Sequence, residues 1–232
     1  QWDIISVTSP EGMKVRAAVT TKAVDTVEEE EMEEAYFLVI DDYKVMVAPF
    51  SFTMPMEIVT QGAIRNYLWD DALDAVLHHT NHVVISIVEG HGKPLEEGIL
   101  LAKLLSVATE QTGATAIYTN DVLYEAKKYQ EETEQLRDDM LPMTNLIWVD
   151  IDFEEDGTIS FYTSSMEEFD QLNVEFLHCP WDPERAWNYI LSVANYVLTS
   201  GKELTDGDSV GRTEQEQLIV HIDEPVHAYG LQ

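Results

Sequence analysis

Leu146-Ile147-Trp148-Val149-Asp150-Ile151-Asp152-Phe153, then Glu154-Glu155-Asp156-Gly157, then Thr158-Ile159-Ser160-Phe161-Tyr162-Thr163 is the stretch that decides the fold class. Both flanking runs alternate with period two, which places successive side chains on opposite faces of a strand. The Glu155-Asp156-Gly157 break between them is the chemistry of a tight turn, so the stretch predicts an antiparallel hairpin. Downstream, Leu172 to His178 predicts a further strand. Asp182-Pro183 predicts a helix start, an N-cap followed by proline in the first turn. Trp187, Ile190, Leu191, Ala194, Val197 and Leu198 then recur at helical spacing, Gly201 marks the stop, and Leu218 to Ile222 predicts a last strand.

Working toward the N-terminus, His82 to Val88 is a nearly continuous apolar run ending at Gly90, the pattern of a strand buried on both faces. Pro94 and Gly113 bracket a helix whose core stripe is Leu95, Ile99, Ala102, Leu105 and Ala108. Thr115 to Tyr118 predicts a short strand, and Asp121 is expected to cap a polar helix running to about Met140. Tyr36 to Ile40 and Lys44 to Phe50 predict a hairpin across Asp41-Asp42. Trp69, Ala72, Leu73, Val76 and Leu77 predict one helix from about Gly62 to His79. Asp3 to Thr21 contains two β-rich runs broken by Ser9-Pro10-Glu11-Gly12, and Asp25 to Glu34 is almost wholly acidic.

Hairpins mixed with strand–helix alternation give an α+β fold: a mixed, largely antiparallel sheet or sheets with helices packed on one side. Residues 1–34 are read as an N-terminal β-rich segment and acidic linker, and residues 35–232 as a single α+β domain. A single cysteine, Cys179, excludes an internal disulfide framework and fits a reducing, cytoplasmic setting. No apolar run reaches the ~20 residues that a membrane helix needs. The N-terminus is read as a strand rather than a signal peptide, and the missing initial Met is what removal of a few residues or a leader would leave.

Charge dominates the composition. Forty-four acids against 13 bases give a net charge of −31 over 232 residues. Nucleic acid and anionic lipid both require Lys or Arg clusters that this chain lacks, so neither is expected as a partner. A cationic protein is the partner that such a field steers, although solubility alone also rewards Asp and Glu.

Five segments could carry chemistry. His78-His79-Thr80-Asn81-His82 is the one histidine cluster, but adjacent helical residues point ~100° apart and histidine also complements a helix C-terminus. Asp150 and Asp152 share one face of a strand, as paired hydrolytic carboxylates do, or as the solvent side of a one-sided sheet. Thr205-Asp206-Gly207-Asp208-Ser209-Val210-Gly211 has oxygens at cation-binding density without the calcium-loop spacing, making Asp206 and Asp208 weak metal candidates. Glu89-Gly90-His91-Gly92-Lys93-Pro94 joins a strand to a helix N-terminus, where anions bind, but it is not a nucleotide loop. His178 and Cys179 are adjacent at a strand end, which points them apart. There is no Gly-x-Ser-x-Gly elbow, and no cofactor is expected.

Leu146-Ile147-Trp148-Val149-Asp150, Asp156-Gly157-Thr158-Ile159-Ser160-Phe161-Tyr162-Thr163, Asn195-Tyr196-Val197-Leu198 with Gly201, and Asp206-Gly207-Asp208-Ser209-Val210-Gly211 occur in this order. Together they resemble the bacterial family called domain of unknown function 4261, over roughly residues 145 to 222. Small glycine positions of that pattern, after Tyr162, stand here as Ser165 and Asp170. The resemblance implies the fold and a bacterial origin and carries no catalytic residue with it.

The leading expectation is a non-enzymatic binding protein that neutralises or sequesters a cationic protein, an immunity protein for a toxin being the concrete version. Its contact acids are expected to be Glu28, Glu29, Glu30, Glu31, Glu33 and Glu34, with Glu131, Glu132, Asp138 and Asp139 on the polar helix. Two alternatives stand beside it. One is a metal-assisted hydrolase or nucleotide-handling enzyme using Asp206, Asp208, Asp150 and Asp152. The other is a structural or regulatory module that self-associates.

Overall fold

A computed structural model describes residues 35–211 and 218–223 of the chain. The expected N-terminal β-rich segment and acidic linker, residues 1–34, lie outside the described residues. The rest divides into two compact units, one ending at Thr133 and the other beginning at Glu134. Both mix helices with small antiparallel sheets, so the α+β reading is the fold observed.

In the first unit, β1 (Tyr36–Ile40) and β2 (Tyr43–Phe50) pair across Asp41-Asp42, both with left-handed backbone. β3 (His82–Glu89) pairs antiparallel with β2, giving the order β1-β2-β3. Met46, Ala48 and Phe50 are buried with Ala35, and Phe37, Phe52 and Val84 pack on them. Among the described residues β3 is an edge strand of that sheet, and the exposure of Val83 and Val88 departs from the doubly buried strand its composition suggested.

The single helix expected from Gly62 to His79 is two: α1 (Met56–Arg65) and α2 (Ala72–Leu77). Asn66 breaks it. Its Nδ2 donates to the carbonyl of Leu123 at 2.7 Å, and its Oδ1 accepts from the N–H of Leu68 at 2.9 Å, in place of helix continuation. Val59, Ala63, Ala72, Val76 and Leu123 form the apolar cluster beneath, with Trp69 packed against it. Gly62 permits this close approach, since a Cβ there would sit 3.2 Å from the backbone N of Leu123.

α3 (Pro94–Thr112) begins at its proline and ends where Gly113, at φ 70°, returns its N–H to Thr109. It packs against β3. β4 (Ala116–Thr119) and β5 (Val122–Glu125) form a hairpin, so Asp121 is not a helix cap. Asn120 and Asp121, at φ 53° and 57°, make its turn, and buried Val122, Leu123 and Tyr124 fill the strand that follows. α4 (Ala126–Thr133) is correspondingly short, and a 3-10 turn, Glu134–Asp138, opens the second unit.

That unit contains α5 (Met143–Leu146), β6 (Trp148–Phe153), β7 (Ile159–Ser164), a 3-10 turn at Met166–Phe169 and β8 (Glu175–Cys179). The three strands pair in chain order, β6-β7-β8, all antiparallel. α6 (Pro183–Ser200) covers one face. Asp182 caps it, accepting from the N–H groups of Glu184 and Arg185, and Gly201 at φ 62° closes it. Ala186 and Ile190 of α6 meet Val149 and Phe161 of the sheet, with Cys179 in the same buried cluster. The last expected strand is a two-residue β10 (Leu218–Ile219) paired with β9 (Ser209–Val210).

Candidate functional site

Three polar constellations lie within the second unit. The first is the face of the β6-β7-β8 sheet turned away from α6. Alternation sends Val149 and Ile151 into the apolar cluster and leaves Asp150 and Asp152 on the other face. Tyr162 lies opposite Asp150 and Glu175 opposite Tyr162, so the three form one row across the sheet, with Ser160 opposite Asp152. Asp150, Asp152 and Glu175 are half-buried.

The second constellation sits at a bulge. Between the pairs Ile159–Cys179 and Phe161–Phe176, β8 carries one residue more than β7. His178 takes left-handed backbone at φ 47°. Its N–H donates to Ser160 Oγ at 3.0 Å, and the Ser160 hydroxyl donates to the Glu154 carboxylate. Its ring Nδ1 lies 3.2 Å from Asp156 Oδ2 and 3.1 Å from Thr158 Oγ1. The Thr158 hydroxyl and N–H both donate to Asp156, and these bonds, ahead of the imidazole, hold the Asp156 carboxyl below its ordinary pKa. The bulge leaves His178 exposed and Cys179 buried.

The third constellation is the loop of Asp206 and Asp208. Asp208 Oδ2 accepts from the N–H of Thr205 at 3.0 Å and lies 3.2 Å from Lys202 Nζ. Asp206 Oδ1 accepts from the N–H of Ile222 at 3.2 Å and lies 3.5 Å from the His221 ring. The Thr205 N–H, then Lys202, hold the Asp208 carboxyl below its ordinary pKa. Gly207 N–H to Val220 O and Val220 N–H to Asp208 O extend the β9–β10 ribbon, so both side chains tie this turn to its own chain. Among the described residues, no three or more His, Cys, Asp or Glu side chains are grouped so as to hold a metal ion, these aspartates included.

In the first unit, the histidines act as clips. The Met54 N–H donates to His79 Nε2 at 2.9 Å while His79 Nδ1 meets Val76 O at 2.6 Å. His82 Nδ1 meets Phe52 O at 2.9 Å, and its ring stacks on Phe50. His78 Nδ1 instead meets Asp74 O of its own helix. The anion-binding geometry expected at Gly90–Pro94 is filled internally. Glu97 Oε1 accepts from the N–H groups of His91 and Gly92 at 2.9 and 3.1 Å.

The expected contact acids do not share one helix. Glu131 and Glu132 lie on α4, with Glu131 3.8 Å from Lys127. Asp138 ends the 3-10 turn of the other unit, and Asp139 follows it with left-handed backbone. Glu28, Glu29, Glu30, Glu31, Glu33 and Glu34 lie outside the described residues.

Residues 162–228 match the model of a domain of unknown function, DUF4261. The C-terminal third of the chain matches DUF4261. The match opens within β7 and takes in β8, α6 and the β9–β10 ribbon, while β6 and its turn precede it. No curated protein and no solved structure matches the chain. Within the DUF4261 match, Ser165 and Asp170 hold φ values of 72° and 56°, the conformation that glycine adopts at least cost.

Sequence reasoning missed Glu175, Asn66 and Glu97. Glu175 had a signal in the alternation of its strand, but its place beside Asp150 depends on pairing register. Asn66 bonds Leu123, 57 residues away, which no local pattern carries, whereas Glu97 bonds the nearby N–H groups of His91 and Gly92.

Proposed function

We propose that this chain is a non-enzymatic binding protein that recognises and neutralises a cationic protein partner, with a toxin domain as the specific form. One observation carries the reading. In the second unit, the described cations are held locally: Arg137 by Glu134, Arg185 over the Trp181 ring at 4.5 Å, and Lys202 by Asp208. Within the DUF4261 match only Arg185, Lys202 and Arg212 stand against the acids. By composition the unit's charge is dominated by carboxylates, and Asp150, Asp152 and Glu175 share one sheet face. Such a field accelerates encounter with a basic protein and suppresses binding of acidic ones.

The candidate chemistry of the sequence also supports binding over catalysis. Asp206, Asp208, Glu97, His79 and His82 each hold backbone groups of their own chain.

The test is affinity capture of tagged protein from the source lysate at low and high salt, with mass spectrometry, followed by calorimetry of the captured partner. One stoichiometric basic protein, whose binding weakens with salt, is the expected result. Asp150→Asn, Asp152→Asn and Glu175→Gln combined, and separately reversal of Glu28 to Glu31, are expected to lower the association rate. A partner whose rate and salt dependence ignore both sets would refute the electrostatic reading.

A further inference from the structure

We propose that His79 and His82 form an acid-sensitive latch on the connection between β2 and α1, residues 51–55. Two rings from α2's end and from β3 grip this short segment at successive points, Phe52 O and Met54 N. His79 meets a carbonyl with Nδ1 and an N–H with Nε2, which fixes the neutral tautomer with its proton on Nδ1. A proton on Nε2 removes the acceptor that Met54 uses. His82 keeps its bond to Phe52 O in either charge state, but its cationic form would lie against Phe50 and Phe52 and repel a cationic His79.

The segment matters to the unit around it. Pro55 O accepts from the N–H groups of Ile58 and Val59 at the start of α1, and Met54 packs on the Val59, Ala63, Ala72, Val76 and Leu123 cluster. Release would therefore loosen the first turn of α1 and unseat Met54.

Among the described residues, no carboxylate is among the groups that shift His82. The 51–55 segment has no titratable side chain. β2 carries Tyr43 and Lys44 at its far end, and β3 ends at Glu89, paired with Lys44. α1 carries Glu57 and Arg65, and α2 and its flanks carry Asp70, Asp71, Asp74 and His78. Of these elements' charges, the His79 ring is the one that acts on His82. Burial, and secondarily that ring, hold the His82 pKa below its ordinary 6.5 against the opposing bond to Phe52. Below 6.5 a His82 ring freed from this packing takes up a proton more readily than the latched one, so falling pH favours release and rising pH favours closure.

Site-resolved hydrogen exchange on the full chain, corrected for the intrinsic pH dependence of exchange, tests this. Between about pH 7.5 and 5.5 the Met54 amide is expected to lose ~tenfold or more of its protection while Ala48 and Val84 keep theirs. In His79→Gln, whose side-chain oxygen can accept without titrating, that fall should shrink to what His82 alone contributes. Constant Met54 protection in the wild type, a fall in step with Ala48 and Val84, or an unchanged fall in His79→Gln would overturn the latch.

Discussion

Ser165 and Asp170 bracket the same 3-10 turn, Met166–Phe169, and both hold left-handed backbone, at φ 72° and 56°. The pair lets the chain reverse between β7 and β8 while Met166 is driven fully into the core. Left-handed backbone is costly for an L-residue with a Cβ, less so for Asp, whose short polar side chain tolerates it. Ser165→Gly is therefore expected to stabilise the protein by up to about 1 kcal/mol in urea denaturation, with Asp170→Gly closer to neutral. A destabilised Ser165→Gly would show that the serine side chain contributes more than its backbone costs.

Glu97 completes the start of α3 from inside the helix. Glu97→Ala leaves the N–H groups of His91 and Gly92 without this carboxylate and is expected to cost about 1–2 kcal/mol in thermal or urea melts. A Cβ at Gly90 would collide with the same carboxylate, at the movable end of a flexible side chain. Gly90→Ala should thus act by displacing Glu97. The double variant is expected to be less destabilised than the sum of the two singles.

Asp208 sets part of the acid limb. Its pKa is depressed in the folded state, so the stability it contributes is present above the ordinary carboxylate value of 3.8 and is lost as pH falls through the folded value. In melts between about pH 5 and 3, Asp208→Asn should lose less stability than wild type over that window. Parallel curves would mean that the bonds from Thr205 and Lys202 do not persist in solution.

Phe161 has no exposed surface and joins the sheet to Ala186 and Ile190 of α6. Phe161→Ala is expected to cost about 3–5 kcal/mol, through lost burial and the cavity left behind. Calorimetric melting of the variant checks the value.

Legibility from sequence divides along the same lines as these interactions. α6 was readable because its signals are local: Asp182, Pro183, Gly201 and a repeating apolar face all agree. The β6–β7 hairpin was readable because alternation and turn chemistry coincide. The α1–α2 break was not, since Asn66 leaves the helix to bond Leu123, 57 residues away. Asp121 was misread because aspartate serves both as N-cap and as the second residue of a left-handed turn. The preceding Asn120 and the β-rich Val122-Leu123-Tyr124 were the clues to the turn. β3 looked fully buried because apolar content cannot distinguish a central strand from an edge. The sheet-face acids Asp150 and Asp152 were placed correctly by alternation alone, and Glu175 needed the register of β8.

The chain-order pairing of β6, β7 and β8 bears on how this unit is made. Each strand joins one that has just been synthesised, so the loops to be closed are short and their entropic cost is small. Contacts of low sequence separation form quickly, and α6 comes next along the chain to cover the apolar face they create. The sheet can thus assemble as the polypeptide emerges, leaving its hydrophobic side unprotected only for the time needed to synthesise one helix.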